Sequence, residues 1–386
     1  MSLRTVLTIG GLLVVLALLA GQIQRLMNDP TIWPPDDFVE YWAAGRLALH
    51  GEDPYSPPKL LELERQAGRD TDEAIMMWNP PWTLPVVMPL GALPARVAQL
   101  TWLFVCLAAL GFSTDRLWRI YEGPKERRWI SWVIALTFIP AYLVLQVGQI
   151  GPLLVLGAVG FVAFERCGRP LLAGAATILI AIKPHLAYLL WLAIVVDAVF
   201  NRRCKIFVGS MGTGLLFAVI PLAFDPEVYS HYHAALRDHP PAQWVSLTLG
   251  TLLRMRFGNE HFWLQFIPLL LGLGWFVWQW YRDGRTWDWA EQTPLLLLVS
   301  FVTSPYGAWH FDLVLLIVPV LQLVARLAGS KLNPTTIVAI TLYLVANAAM
   351  LLLNLLEVWS FWFAWFAPLV LGYYLITYRP RARVAA

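Results

Sequence analysis

A chain of 386 residues that is 58% hydrophobic and 14% charged, with a mean hydropathy of +0.60, is too apolar for a soluble domain, in which about 25% of residues are charged. A net charge of +3 carries no nucleic-acid signature. Three cysteines, Cys106, Cys167 and Cys204, make neither a disulfide framework nor a metal cluster.

Apolar runs recur from end to end, near 4–26, 95–118, 129–145, 151–165, 171–182, 185–200, 206–224, 263–281, 293–303, 311–327, 335–356 and 360–378. They predict an all-α integral membrane protein, a polytopic helical bundle of about 12 transmembrane helices, forming one domain over 1–386. The start, Arg4 and an apolar run to Ala20, has the look of a signal peptide, but the run continues to about Leu26 and is read as an uncleaved first span. With a cytoplasmic N-terminus, most Lys and Arg fall on the inner connections and most Asp and Glu outside, as the positive-inside rule requires. The runs 171–182 and 185–200 are short for a roughly 30 Å hydrocarbon core. They are read as a hairpin turning at Lys183-Pro184-His185. Most of the 20 tryptophans are assigned to the membrane-interface belt, with a minority available to stack on a sugar ring or lipid.

Two outer connections are long, 27–79 and 225–262. Within the first, 37–49 and 58–67 are expected as amphipathic helices on the membrane surface. Pro34-Pro35 stops the chain just before Asp36 and Asp37. Asp37 stands three residues before Glu40, a capping-box spacing. A carboxylate placed there also suits a general base, because a sugar or lipid hydroxyl is a poor nucleophile until its proton is taken. Tyr41 follows Asp37 on the same helix face, and Asp36 and Tyr41 join the substrate-binding candidates.

Further polar segments fall on the same outer side. Trp78-Asn79-Pro80-Pro81-Trp82 is read as a corner or a groove wall, since two prolines prevent a regular helix start. Gln146-Val147-Gly148-Gln149 links two spans, and both glutamines offer donors and acceptors suited to a pyranose. Lys183, between two apolar runs, is a functional candidate by default. It could neutralise a phosphate leaving group, with His185 beside it. In Ser304-Pro305-Tyr306-Gly307-Ala308-Trp309-His310, His310 can donate to a phosphate, and Trp309 is offered to substrate. His231, His233 and His239 lie in the second long connection without a clear third metal ligand. That connection is read as a cover over the substrate.

These ordered motifs resemble glycosyltransferase family 87. The matching residues are Asp37-Phe38, Tyr41-Trp42-Ala43-Ala44-Gly45, Gly51 with Asp53-Pro54-Tyr55, Gly148-Gln149, Ala173-Gly174, Ile182-Lys183-Pro184 and Ser304-Pro305 before His310. Asn79-Pro80-Pro81 departs from the usual pattern, with Asn79 in place of a tyrosine. The resemblance implies a GT-C fold and a polyprenyl-phosphate sugar donor, as in polyprenyl-phosphate-mannose-dependent mannosyltransferases. It also implies an inverting single displacement with Asp37 as base. Lys183 and His310 would contact the donor phosphate by position and chemistry. The expected partners are that donor, a lipid or glycan acceptor and the bilayer, with no nucleic acid. No cofactor is required; adjacent aspartates could hold a divalent ion, but a monophosphate donor does not demand one. The expected location is a bacterial inner membrane with the site facing the periplasm. A secondary transporter or flippase, and a ligase for a lipid-linked polymer, are the alternatives. A transporter would place its ionisable groups near the midplane in paired repeats.

Overall fold

A computed structural model describes residues 33–240, 244–329 and 333–377, together with 21, 24, 25 and 27–29. The expected first span at 4–26 lies almost entirely outside the described residues, as does the tail beyond 377. Of the described residues, 77% are helical and none is in a strand.

Helices α1 (Phe38–Leu49), α2 (Pro57–Gln66) and α3 (Leu84–Gly91) precede the first long span, α4 (Ala95–Ile120). Among the described residues, six helical segments are long and apolar enough to cross a membrane: Ala95–Ile120, Cys204–Ala223, Phe262–Thr286, His310–Ala328, Pro334–Leu355 and Ser360–Thr377. A seventh arises if α5 (Trp129–Thr137) and α6 (Ile139–Val147) count as one span bent by 48°. Pro140 accounts for the bend, because a proline cannot donate within the helix ladder. The neighbouring Ile139 amide instead donates to Asn347 Oδ1 at 2.7 Å.

Six or seven spans by length and composition among the described residues is fewer than the eleven expected runs that fall there. The runs at 151–165, 171–182, 185–200 and 293–303 do form helices: α7 (Gly151–Arg166), α8 (Pro170–Ala176, extended by a 3-10 turn to Leu179), α9 (Tyr188–Phe200) and α10 (Trp289–Val302). Each is shorter than the roughly 20 residues a straight span needs. Among them α10 is packed inside protein, whereas α8 and α9 also turn Leu171, Leu172, Val199 and Phe200 outward. In α10, Leu296, Leu297 and Leu298 are fully buried, against α7, α9, Ile317–Ala328 and Phe366–Thr377. By contrast, Pro334–Leu355 turns Leu344, Val345, Leu352 and Leu355 outward. An outward apolar face of this kind belongs in lipid.

The expectation of a surface helix at 37–49 needs correction. Helix α1 forms there, but Phe38–Ala48 is buried almost throughout. The cause is a stripe of small residues. A Cβ on Gly45 would sit 2.6 Å from the Val87 carbonyl oxygen, and one on Gly91 would sit 2.3 Å from the Arg46 nitrogen. With glycine at both places α1 and α3 touch backbone to backbone, as small residues permit in membrane helix pairs. The polar atoms of α1 are taken up on that side: Arg46 donates to the Gly91 carbonyl at 3.2 Å, and Trp42 Nε1 donates to that of Leu93 at 2.9 Å. Helix α2 is amphipathic as expected, with Leu60 and Glu64 its buried face.

Candidate active site

Asp37 begins α1 as its N-cap residue, yet its side chain makes no capping hydrogen bond. The carboxylate reaches across to the next polar segment, where Gln149 Nε2 donates to Asp37 Oδ2 at 3.0 Å. Asp36 beside it is exposed. The same Nε2 donates to Glu40 Oε1 at 3.1 Å, and Glu40 is buried one turn along α1. Gln149 Oε1 accepts from the Tyr41 hydroxyl at 2.6 Å and from Lys183 Nζ at 3.3 Å. Lys183 Nζ also donates to Asp312 Oδ1 at 2.7 Å, and it lies 4.9 Å from the Phe311 ring centroid, within cation–π range.

Local structure explains these placements. Lys183 occupies the break between a 3-10 turn ending at Leu179 and another beginning at Pro184. Asn79 Nδ2 donates to the Ile182 carbonyl at 3.2 Å and Trp82 Nε1 to that of Ala181 at 2.8 Å. The Asn79-Pro80-Pro81-Trp82 corner therefore pins the segment that presents Lys183. Asp312 is itself fixed by the Trp309 amide, which donates to Oδ2 at 3.0 Å.

Burial and the Asp36 charge push the Asp37 carboxyl up to about 6, against the opposing hydrogen bond from Gln149 and the charge of Lys183. Glu40 is raised well above the usual carboxylate range by burial and then by Asp37. Two acids near one amide, both with raised proton affinity in a cleft, are a common mark of an acid–base site.

The network stands at one corner of a chamber of about 570 Å³, within the range of small-molecule sites. Glu40, Asn79, Gln149, Lys183 and His185 provide its polar lining. The remaining wall is aromatic. Trp78 lies 5.6 Å from Trp244, Trp244 6.3 Å from Tyr306, and Tyr306 5.5 Å from His185, centroid to centroid. The second long connection, 225–262, supplies Tyr232, Leu236 and Trp244 to this wall.

Of the residues singled out from the sequence, Asp37, Tyr41, Gln149 and Lys183 meet in one network, and His185 and Trp309 line the chamber. His185 Nε2 donates to the Gly307 carbonyl at 3.0 Å. His310 turns elsewhere: Nδ1 is 3.1 Å from Ser360 Oγ, and its ring stacks on Phe363 at 5.1 Å. Gln146 is exposed to a different neighbour, Asn354, whose Nδ2 donates to it at 3.3 Å. His231 sits 2.9 Å from Asp225 and 3.6 Å from Asp53. Sequence reasoning gave Glu40 only a capping role and passed over Asp312. Both carried a signal, as acids beside residues already chosen, Glu40 one turn after Asp37 and Asp312 two places after His310.

No curated protein and no solved structure matches the chain. A family profile does: glycosyltransferase family 87 over residues 78–305, more than half of the sequence. That stretch holds Asn79, Gln149, Lys183 and most of the chamber wall, and the multi-pass helical architecture agrees with it. The chain belongs to glycosyltransferase family 87.

Proposed function

We propose that this membrane glycosyltransferase moves a hexose, mannose in the first instance, from a polyprenyl-phosphate donor to a lipid-linked or cell-envelope acceptor. The site would face the periplasm of a bacterial inner membrane, within a GT-C bundle of about twelve spans that includes the shorter helices. The observation that carries this reading is the joining of Asp37, through Gln149, to Glu40 and Lys183, with Glu40, Gln149 and Lys183 lining the polar corner of an aromatic-walled chamber. Aromatic faces suit a pyranose and a prenyl chain, and a buried cation suits a phosphate.

In the reaction, Asp37 takes the proton of the acceptor hydroxyl. The acceptor oxygen bonds the anomeric carbon on the side opposite the phosphate, and the configuration inverts. The carbon–oxygen bond to phosphate breaks with its electron pair on the phosphate oxygen, whose charge Lys183 offsets. No metal enters this scheme. His310, bound to Ser360 and Phe363, supports the chamber wall from behind Phe311 in this reading, and Lys183 alone meets the phosphate.

The test is transfer of radiolabelled mannose from synthetic polyprenyl-phosphate-mannose to a membrane lipid extract, with purified wild type and Asp37→Asn side by side. Labelled lipid is expected from wild type, with a loss of about 10²–10⁴-fold or more in the variant. Equal product from both would remove Asp37 from the mechanism. Uptake of label into proteoliposomes without a covalent product would point to transport instead.

A further inference from the structure

We propose that Gln149 is a positioning residue that sets the Asp37 carboxylate and the Lys183 ammonium relative to one another, and is not a sugar ligand. This rests on the reading of Asp37 as base and Lys183 as phosphate partner.

A primary amide has two donor hydrogens and two acceptor lone pairs. Gln149 has a protein partner for each: Asp37 and Glu40 at Nε2, Tyr41 and Lys183 at Oε1. Its side chain keeps no capacity for a pyranose, and the residue is 5% exposed. The amide fits only one way round. Turned over, its NH2 would face the Lys183 ammonium and its oxygen would face two carboxyl groups. Its donors therefore stay on the acids and its acceptor on the cation.

The backbone holds it there. Gly148 has φ +76°, and a Cβ on it would meet Phe38 Cβ at 2.6 Å, so the Gln149 segment lies directly on the start of α1. Trp102 Nε1 donates to the Gly148 carbonyl at 2.7 Å, and the Gln149 amide nitrogen donates to Val144 at 3.0 Å. The resulting unit joins three separate segments of chain at their reactive side chains.

The charged and titratable groups around Asp37 are Asp36, Glu40 and Tyr41 from its own segment, Arg69 from beyond α2, Lys183 from the break after α8, and Asp312 behind that lysine. Burial and Asp36 hold the Asp37 proton on, and the Gln149 donor opposes them. Deleting that donor should hold the proton more tightly still.

The experiment compares kcat/KM against pH for wild type and Gln149→Met, which keeps the length of the side chain and removes both polar ends. The expected result is a loss of about 10–10²-fold at neutral pH, an acid limb moved upward by about one pH unit, and a donor KM raised by less than about threefold, since Asp312 still holds Lys183. A donor KM raised beyond that with the limb unmoved would make Gln149 a sugar ligand and overturn the proposal. An infrared titration of Asp37, taken as the difference between each protein and its Asp37→Asn counterpart, reads the same shift without turnover. It separates the two ideas: no transfer by wild type would sink the donor assignment alone, whereas an Asp37 band titrating at the same pH in both backgrounds would sink the role of Gln149. If Gln149→Met fails to fold, Gln149→Glu, of equal size, carries the same upward expectation.

Discussion

Two ion-pair clusters in this protein use the same chemistry under different exposure. Lys183 and Asp312 lie 2.7 Å apart with side chains 9% and 0% exposed. Asp115, its side chain 13% exposed, pairs with Arg119 at 2.8 Å and with Arg128, whose side chains are 50% and 45% exposed and so keep water when the pair is broken. A surface pair loses most of its attraction to water and salt and contributes about 0–1 kcal/mol. A buried pair is different, since removing one partner strands a charge at a cost of about 3–5 kcal/mol. The arginine cluster fits the positive-inside signature of a membrane connection. Lys183–Asp312 sits where a chamber needs a charge of fixed position.

The largest effect that would sharpen this contrast is expected at Lys183. Lys183→Met leaves Asp312 buried without its counter-charge, so stability in detergent should fall by about 3–5 kcal/mol. Transfer should fall by about 10²-fold or more as the phosphate loses its cation. Lys183→Met combined with Asp312→Leu should recover most of the stability and none of the transfer. Thermal unfolding and label transfer on the same samples check both halves. Recovery of transfer in the double variant would reduce Lys183 to a structural ion.

A second test uses pH. With its proton held to about 6, Asp37 is a competent base above that value and is blocked below it. Wild-type kcat/KM should therefore fall about tenfold per unit below pH 6. Stability has the opposite sign. The folded state binds this proton more tightly than the unfolded chain does, so the contribution of Asp37 favours folding at low pH and is lost as pH rises through about 6. An activity profile flat from pH 7 to 5 would break the assignment of Asp37 as base.

The smallest effect is expected at the exposed cluster. Asp115→Asn should change stability by no more than about 1 kcal/mol and transfer by less than about twofold. A loss comparable to that of Lys183→Met would show that exposure is the wrong distinction between the two clusters.

Much of the site was legible because its residues interrupt apolar sequence. Asp37 after Pro34-Pro35, Lys183 between two runs and Gln149 after Gly148 all stand out against their neighbours. Less legible was what each polar group touches. Gln146 and Gln149 look alike in sequence, yet one meets Asn354 at the surface and the other joins four side chains in the interior. His310 has the expected chemistry, but Ser360 and Phe363, some fifty residues on, take its ring.

The sequence by itself determined the membrane class, the helical content, the family and the polar segments that carry chemistry, because hydropathy and motif spacing are local properties of the chain. Tertiary structure decided which apolar helices are buried in protein, since Trp289–Val302 and Pro334–Leu355 are equally apolar but only one is enclosed. It also turned α1 from an expected surface helix into a core helix. There the deciding fact is the backbone contact between Gly45 and Gly91, a property of two helices together that neither one's periodicity contains.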